Sequence, residues 1–478
     1  KSYWSRRVTV TSVARQWPNV QFLNIDQGAS VNATGGKTER ATKLPPGPRG
    51  TWGTSTKLIR NPRAALEGWA RQYGDPFFFC PLNGPVVVTG REDFLRIIHG
   101  QDPSIYEPFA TQTTIPLLGS GSMLVLEGER HKRERRMMSP MFQGERMKHY
   151  GGLMQTIALQ SIEEHLKKSP DKVLTADLMQ DISLRVIIQA IFGGDDPKLA
   201  ERMFTASKSL ANRANPLLFF TSRSHVRFLG LTPWDRWLDA RRQMCELLDI
   251  AIDARLKDSE PRADILALLC QAKYEDGQPM TRDDIYAELL TFLFAGHETT
   301  ALSLTWAIYH IFRDPKIKAK LREELDALPN ETPAEVAEAS YLKATIQETL
   351  RVNPIVTETL RKLKEPLELG EYQLPAGMGL ALATVLAHYN AQTFPEPDLF
   401  RPERFIEQSF SPFQYMPFGG GHRRCIGAAF ASYEMAMVLG VFVRRFDFQL
   451  LDPRPVVPKR RSVTMGPSSP VPVKIVRR

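Results

Sequence analysis

One segment of this 478-residue chain restricts its fold more than any other, a predicted helix of roughly 30 residues. Thr281 and Asp284 are residue types that begin helices, and Asp314-Pro315 ends one. At about 1.5 Å per residue the helix is about 45 Å long, enough to cross a whole domain. Its middle, residues 289–295, is apolar on nearly all sides, which indicates a core position. The rest of the chain must therefore pack around this helix.

The same helix carries a polar interruption at its centre. Residues 295–300 read Ala-Gly-His-Glu-Thr-Thr. A polar group inside a core costs free energy unless it is hydrogen-bonded or used, and Gly296 opens space beside the backbone. The residues alone leave two interpretations open, a satisfied structural kink and a functional site. A membrane span is excluded because Glu288, His297 and Glu298 interrupt the apolar run.

The composition is that of an ordinary globular protein, with 42% hydrophobic and 24% charged residues, which excludes disorder and a membrane bundle. Because the cysteines are few and widely spaced, a disulfide scaffold is excluded and a reducing, cytoplasmic compartment is expected. They are Cys80, Cys245, Cys270 and Cys425. The net charge of +9 is compatible with nucleic acid, an anionic membrane or an acidic protein partner. Nucleic acid is set aside because no zinc-finger spacing or Arg-rich arm occurs.

Two regions of different character divide the chain. Residues 1–43 are polar and mildly basic, and they are predicted to form a flexible extension without a transmembrane anchor. Leu44-Pro45-Pro46-Gly47-Pro48 marks a stiff turn before the folded body. Helical patterns prevail over residues 90–350, short strands flank them, and a final helix is predicted to start near Cys425. Residues 44–478 are therefore predicted to form one large, mainly α domain with a minor β-sheet.

The strongest local pattern is Phe-Gly-Gly-Gly-His-Arg-Arg-Cys-Ile-Gly at residues 418–427. Its glycines let the backbone turn tightly and approach a flat ligand. At the start of a predicted helix and beside Arg423 and Arg424, Cys425 is expected to favour the thiolate. His422 and Cys425 together suggest a zinc site as one alternative, but a structural zinc site needs four ligands. A hydrolase with a Cys–His pair is a second alternative. An anionic, planar cofactor suits the glycines and arginines better.

The spacing Phe-x-x-Gly-x-Arg-x-Cys-x-Gly resembles the haem-binding loop of the cytochrome P450 superfamily. The residues that carry this resemblance are Phe418, Gly421, Arg423, Cys425 and Gly427. Three further family motifs occur in the family's order, at residues 295–300, 348–351 (Glu-Thr-Leu-Arg) and 402–405 (Pro-Glu-Arg-Phe). Residues 44–478 are thereby identified as a soluble, bacterial-type member. The implied cytochrome P450 fold is mainly α, with haem b buried between the long central helix and the Cys loop.

The resemblance assigns roles to individual residues. Cys425 would be the axial thiolate ligand of the haem iron, which favours O–O cleavage. The other residues at cofactor-binding positions are His131, Arg135, Ala295, Arg361, Phe418, Gly419, Arg423 and Gly427. His131 is a departure, because the family typically has Trp there. Thr299 and Glu298 would deliver protons to dioxygen on the iron.

Glu348 and Arg351 lie at i and i+3, on one helix face. As an exposed pair they would contribute only about 0.2–0.5 kcal/mol. The resemblance implies instead a buried network with Arg404 that braces the loop carrying Cys425. Losing one partner of such a network costs on the order of 3–5 kcal/mol.

The substrate pocket is predicted by analogy and is almost entirely apolar. Its residues are Phe109, Ile115, Leu117, Leu118, residues 217–220, Phe292, Ala295, Ile355 and Val356. For each of them, ordinary core packing is the alternative. As a set they indicate a small lipophilic substrate such as a fatty acid or a terpene, and Arg213 or Arg223 could hold a carboxylate.

One interpretation of the basic run at residues 128–136 is a solvated, charged helix face without a specific function. By resemblance its cations, Arg130, Lys132 and Arg133, join Arg424 around the thiolate side of the haem. That position suits an acidic ferredoxin or flavodoxin-type electron donor, supplied by NAD(P)H through a separate reductase. The expected protein is a monomer, with peripheral membrane contact through the tail left open.

The predicted function is a haem-thiolate monooxygenase that inserts one oxygen atom of dioxygen into its substrate. Two rival functions stay open at this point. A peroxide-driven peroxygenase or isomerase would work without a reductase. In a non-catalytic haem-binding protein, Glu298 and Thr299 would have no role.

Overall fold

The computed structural model describes residues 43–81, 84–194, 196–214, 218–219, 221–258, 262, 264–274 and 277–478. The predicted extension at residues 1–43 lies outside this part of the chain, except for Lys43. Leu217 and Phe220 of the predicted pocket also lie outside it.

Helices dominate the structure, as the sequence predicted. In chain order they are α1 (Thr51–Arg60), α2 (Pro62–Tyr73), α3 (Glu92–Gly100), α4 (Thr111–Leu118), α5 (Gly128–Met138), α6 (Glu145–Lys168), α7 (Thr175–Phe192), α8 (Pro197–Arg213), α9 (Pro233–Lys257), α10 (Ile265–Gln271), α11 (Arg282–Arg313), α12 (Pro315–Asp326), α13 (Pro333–Glu338), α14 (Ser340–Val352), α15 (Thr384–His388), α16 (Arg404–Glu407) and α17 (Ala428–Arg445). Within the described residues, no helix is long and apolar enough to cross a membrane.

The strands form small sheets at the edges of the helical body. They are β1 (Phe77–Phe79), β2 (Val86–Thr89), β3 (Tyr106–Pro108), β4 (Val173–Leu174), β5 (Thr359–Leu363), β6 (Leu367–Leu369), β7 (Tyr372–Leu374), β8 (Gly379–Leu382), β9 (Phe446–Leu450), β10 (Pro458–Arg460), β11 (Met465–Pro467) and β12 (Pro472–Arg477). The largest sheet has the order β1-β2-β8-β5-β3, with β2 and β8 parallel. The mainly α fold with a minor sheet is confirmed.

The predicted central helix is α11, and it has 32 residues. Its start is capped by Thr281, whose Oγ1 accepts the Asp284 N–H at 3.2 Å. At its other end, the Asp314 backbone N–H donates to the His310 carbonyl at 3.3 Å, and the Asp314 carboxylate caps the next helix, which Pro315 opens. A side-chain cap satisfies backbone N–H groups that a helix end leaves free. The predicted bounds of this helix are therefore confirmed, with a capping reason at each end.

The packing of α11 changes at its middle. From Leu289 to Leu293 every side chain is buried, and α11 lies against α7 and α17 over much of its length. Ala295, in contrast, is exposed although the helix around it is core. The predicted core position is therefore confirmed for residues 289–293 and corrected at Ala295, whose side chain is exposed.

The last helix begins later than predicted. The sequence placed its start near Cys425, whereas α17 starts at Ala428. The residues between them form a turn that ends at Gly427, the N-cap. The side chain of Cys425 is therefore carried by a loop, three residues ahead of the helix.

Core packing on α11 predicts a stability difference between two leucines. Leu304 is fully buried, whereas Leu256 of α9 is 58% exposed. We expect Leu304→Ala to lower the free energy of unfolding by about 2–5 kcal/mol, because it leaves a cavity in close-packed surroundings. Leu256→Ala, the matched control, should change it by no more than about 0.5 kcal/mol. Equal effects in urea unfolding would contradict the central position of α11.

Candidate active site

The loop that carries Cys425 is closed by its own backbone and pressed against a histidine. The Cys425 N–H donates to the Phe418 carbonyl at 2.9 Å. Gly419 and Gly421 have φ of 66° and 63°, a left-handed conformation that glycine adopts without strain. A Cβ on Gly421 would lie 2.6 Å from Nδ1 of His99, closer than real contacts allow. The shape of the loop therefore requires these glycines.

The thiol of Cys425 is accessible, yet protein surrounds it. Burial raises the pKa of Cys425, while the Gly427 backbone and Arg135 lower it to a smaller extent. The expected thiolate at Cys425 therefore stays a prediction, because α17 begins only at Ala428 and desolvation opposes the neighbouring charges. A positively charged metal ion at the sulfur would reverse this balance.

Three arginines predicted to contact the cofactor lie beside this loop. Arg135 Nη2 donates to the Arg424 carbonyl at 2.6 Å, and Arg361 Nη2 donates to the Gly420 carbonyl at 3.2 Å. Arg423 donates to two carbonyls of the segment that precedes α5. Burial, with the charge of Arg361 added, lowers the pKa of Arg423 to about 10. These clustered cations make the site favourable for an anion.

Two buried nitrogens at this site have no hydrogen-bond partner among the described residues. They are Nη1 of Arg361 and Nε2 of His99. The other nitrogen of His99 lies 3.1 Å from Arg361 Nη2. Buried polar groups are nearly always paired, so these atoms indicate a missing acceptor such as a carboxylate. The propionates of a haem supply such carboxylates, and the residues present therefore fit this cofactor.

The site also holds neutral histidines, of which the sequence analysis assigned only His131. Burial and the nearby arginines lower the pKa of His131 to about 3, and those of His99 and His422 to about 4. The rings of His131 and His422 meet edge to face, with centroids 5.9 Å apart. His99 belongs to no motif, and only the fold brings it to the loop. Within the described residues, no group of three His, Cys, Asp or Glu side chains could hold a metal ion, so the zinc alternative lacks support.

Glu348, Arg351 and Arg404 meet in a buried network. Arg351 donates from Nε and Nη2 to the two oxygens of Glu348, at 2.7 and 2.8 Å. Arg404 Nε donates to the same carboxylate at 3.1 Å, and so does the backbone N–H of Arg401 at 2.8 Å. The side chains of Glu348 and Arg351 are both inaccessible to solvent. The carboxylate therefore joins α14 to the segment that holds Arg404.

His388 extends this network to the Cys loop, which the sequence analysis missed. Arg351 Nη1 donates to the His388 carbonyl at 3.0 Å. The His388 ring accepts the Met416 N–H at Nε2, at 2.9 Å, and its Nδ1 lies 3.2 Å from the Arg351 carbonyl. Burial lowers the pKa of His388 to about 3, so the ring is neutral and can both accept and donate. Met416 leads directly into the Cys loop.

Thr299 and Glu298 do not hydrogen-bond to each other. The Thr299 hydroxyl donates to the Ala295 carbonyl at 2.7 Å, which leaves its oxygen free to accept. Glu298 instead accepts a bond from Thr464 at 3.4 Å, in the loop before β11. Burial raises the pKa of Glu298, which favours its protonated form. The structure thus places the pair on one turn of α11 with different neighbours.

The predicted pocket residues are not alike in their surroundings. Leu117, Leu118, Phe292 and Ile355 are buried, Phe109 and Val356 are half-buried, and Ile115 is exposed. Phe292 packs edge to face on Phe142, at 5.0 Å between ring centroids, as a core residue does. Phe219 stacks on Phe294 of α11 at 5.2 Å. Arg213 and Arg223 are both exposed.

An open groove of about 880 Å³ lies beside the Cys loop. Residues 416–421 form part of its wall, and cations stand around it, namely Arg96, Lys343 and Arg424. On α5, Arg130 and Lys132 are exposed as well. Part of the cationic set is internally paired, because Lys132 contacts Glu129 and Arg130 contacts Asp284. The groove with Arg96, Lys343 and Arg424 is called the basic groove below.

The buried network predicts a large cost for a small change. Glu348→Gln would leave Arg351 and Arg404 buried without their counter-charge, so we expect a loss of about 3–5 kcal/mol in the free energy of unfolding. The matched control is Glu338→Gln, since Glu338 pairs with Lys343 at the surface with 79% of its side chain exposed. The control should leave urea unfolding unchanged. A Glu348→Gln protein as stable as the control would contradict the network's role.

Comparisons with known proteins agree with this geometry. The cytochrome P450 family model matches residues 45–474. A Mycobacterium tuberculosis protein named cytochrome P450 138 is 34% identical over 422 residues, which cover 85% of this chain and 90% of that protein. Cytochrome P450 135B1 of the same organism is 32% identical over 430 residues, covering 89% of each.

A solved structure shows the same fold. The retinoic acid bound cyanobacterial CYP120A1 superposes with a TM-score of 0.80 at 22% identity, over 92% of this chain and 100% of that chain. At that identity the likeness concerns the fold alone. The family match extends over nearly all of the described residues and includes each of the four motifs. The chain therefore belongs to the cytochrome P450 family.

Proposed function

We propose that this chain is a haem-thiolate monooxygenase, with residues 44–478 as its catalytic domain. The observation that carries the proposal is the exposed Cys425 in a glycine loop flanked by arginines, of which Arg361 is buried. Iron held by such a thiolate supplies the activation of dioxygen for oxygen insertion. Arg361 and His99 have unpaired nitrogens that would bond the haem carboxylates. Arg135 and Arg423 would add positive charge at the same side.

The protein's own contribution to the chemistry is proton supply by Thr299 and Glu298. Thr299 has a hydroxyl oxygen that can accept a hydrogen bond, because its proton is already donated to Ala295. Glu298, whose pKa is raised by burial, can hold a proton on the same helix turn. These two features support an enzyme that consumes dioxygen over the peroxide-driven and non-catalytic alternatives, which have no need of them.

The substrate is proposed to be lipophilic, such as a fatty acid or a terpene. Ala295 is exposed in the middle of α11, and the residues predicted to line the pocket, among them Leu117 and Ile355, are apolar. Apolar walls exclude water and bind apolar substrates through burial of their surface. Arg213 and Arg223 are exposed, so neither supports recognition of a carboxylate inside the pocket.

Electrons are proposed to come from an acidic ferredoxin or flavodoxin-type protein, reduced by NAD(P)H through a separate reductase. The basic groove supports this partner, since it lies beside the loop that carries Cys425. Charge complementarity of this kind accelerates encounter in a salt-dependent way.

Oxygen incorporation tests the proposed function. Haem-loaded protein would be supplied with a surrogate ferredoxin, its reductase, NADPH and a panel of fatty acids and terpenes under isotopically labelled dioxygen. We expect a hydroxylated product that carries one labelled oxygen atom and forms only with the reductase present. Product formed from peroxide alone, with none from labelled dioxygen, would replace this proposal by the peroxygenase.

The two threonines of the α11 motif predict different phenotypes. Thr299→Ala should retain haem and substrate binding but release severalfold more peroxide per NADPH consumed, because the hydroxyl of Thr299 no longer takes part in proton supply. Thr300→Ala is the matched control, since the Thr300 hydroxyl donates to the carbonyl of Gly296, four residues earlier, and its side chain is buried. The control should leave the peroxide fraction unchanged. Equal fractions in both variants would remove the role of Thr299.

The basic groove predicts a salt-dependent electron transfer. Lys343 lines the groove and is exposed, so Lys343→Glu should slow reduction by an acidic ferredoxin severalfold at low ionic strength. The difference should shrink at high salt, because screening weakens interactions between exposed charges. Lys459→Glu, exposed in β10 and outside the groove, serves as the control. A loss that is equal for both variants would argue against docking at this face.

A further inference from the structure

A pair of glutamates that the proposed chemistry does not use lies between α5 and α11. Glu134 and Glu288 are both fully buried. Neither oxygen of Glu288 has a hydrogen-bond partner among the described residues, and Oε2 of Glu134 also lacks one. Burying ionisable groups without partners costs free energy unless they are neutral. At least one of these carboxyls therefore holds a proton inside the protein.

The two glutamates differ in their neighbours. The Tyr274 hydroxyl donates to Glu134 at 2.7 Å, and Arg130 lies 3.9 Å from the same oxygen. Burial raises the pKa of Glu134, while these contacts with Tyr274 and Arg130 oppose the rise. Burial, followed by the charge of Glu134 and that of Asp284, raises the pKa of Glu288 to about 9. Glu288 is therefore the protonated member of the pair at neutral pH.

The charged and polar groups that face the pair come from each element around it. From α11 there is Asp284, which binds Arg130 of α5 at 2.6 Å. From the segment after α10 there is Tyr274, on whose ring Arg133 stacks at 3.8 Å. The backbone of Met123 lies beside Glu288 and favours its ionised form, though to a smaller extent than burial opposes it. Among these groups, Arg130 brings a positive charge toward Glu288, but its effect on the Glu288 pKa is smaller than that of burial.

The loop before α5 covers this face of α11 closely. A Cβ on Gly121 would lie 2.3 Å from Oδ1 of Asp284, and one on Gly119 would lie 3.0 Å from the Cβ of Ala287. Ser122 and Thr291 hydroxyls meet at 2.7 Å, one turn along the helix from Glu288. The loop thus closes the pair off from solvent and adds hydroxyls beside it.

The spacing of these residues along α11 is helical. Asp284, Glu288, Thr291, Ala295 and Thr299 follow each other at intervals of three or four residues and so share one helix face. This face runs from the partly exposed start of the helix to Ala295, which is exposed. Thr291 and Thr299 are about 12 Å apart along the helix axis, and Ala295 lies midway between them. Solvent beside Ala295 could bridge the two hydroxyls.

We propose that Glu288, paired with Glu134, stores a proton inside the protein and supplies it along this face of α11 toward Thr299. Each proton that leaves Glu288 is replaced from solvent through Tyr274 and Glu134, so the net charge of the pair is restored. The use of the proton at Thr299 rests on the proposed monooxygenase function, whereas its storage at Glu288 does not. Glu288 acts here as a relay residue behind the catalytic pair Thr299 and Glu298.

Infrared titration of the full-length, haem-loaded protein tests the storage. At neutral pH the wild type minus Glu288→Gln spectrum should contain the band of a protonated carboxyl, which shifts in heavy water and disappears with a midpoint near pH 9. The Asp283→Asn protein, changed at an exposed carboxylate of the same helix, should retain the band. Absence of the band at neutral pH overturns the proposal.

A second variant covers the case in which Glu288→Gln does not fold. Glu134→Gln removes the like charge beside Glu288, so the midpoint of the carboxyl band should fall. An unchanged midpoint would show that the two side chains are not a pair and would also overturn the proposal.

Turnover tests the supply toward Thr299. With a surrogate ferredoxin and reductase, Glu288→Gln should produce severalfold more peroxide per NADPH, and the solvent isotope effect on product formation should change. Asp283→Asn should match the wild type. If the band is lost in Glu288→Gln while both kinetic values stay the same, Glu288 is a structural acid and the relay is wrong. A wild type that forms no product contradicts the proposed function, and the infrared result then still decides the storage.

Linkage between protonation and folding gives an independent readout on the haem-loaded protein. Because the pKa of Glu288 is raised in the folded state, its protonation favours folding at low pH, and that contribution is lost as the pH rises from about 4.5 toward 9. The free energy of unfolding of the wild type should therefore fall more steeply over this range than that of Glu288→Gln. Parallel curves would show that Glu288 is ionised in the folded chain.

Discussion

The structure depends most on a single buried carboxylate, that of Glu348. It neutralises Arg351 and Arg404 at once and also accepts a backbone N–H, so its desolvation is compensated by hydrogen bonds on every side. Through Arg351 and His388 the same network reaches the N–H of Met416, where the Cys loop begins. The position of the sulfur is thereby fixed by a rigid polar framework and not by the flexible glycines around it.

The electrostatics of the site complement this framework. Arginines and neutral histidines surround the Cys loop, and burial lowers the pKa of both kinds of residue. A site with buried cations and unpaired donors is stable only when an anion completes it. A haem brings that anion in its carboxylates and brings a metal ion to the thiol of Cys425, whose pKa is otherwise raised. The protein and the cofactor thus satisfy each other's charges.

Local signals predicted the parts of the fold that depend on local physics. The caps at Thr281 and Asp314 fixed the bounds of α11, and the motif spacing brought out Glu348 and Arg351. Contacts between distant segments left no such signal. His99 and His388 reach the Cys loop only through the tertiary fold, and the partner of Glu298 is Thr464, 166 residues away. The acid pair of Glu134 and Glu288 was missed for the same reason. Residues from distant segments bury each side chain, and the sequence around each glutamate does not indicate this.

The central claim is that Cys425 binds haem iron through its sulfur, and the absorption spectrum of the reduced protein under carbon monoxide tests it most directly. Wild-type protein should show the strongly red-shifted band of a thiolate-ligated haem, and Cys425→Ser should lose that band. A wild type without the band, or a Cys425→Ser protein that keeps it, would contradict the account.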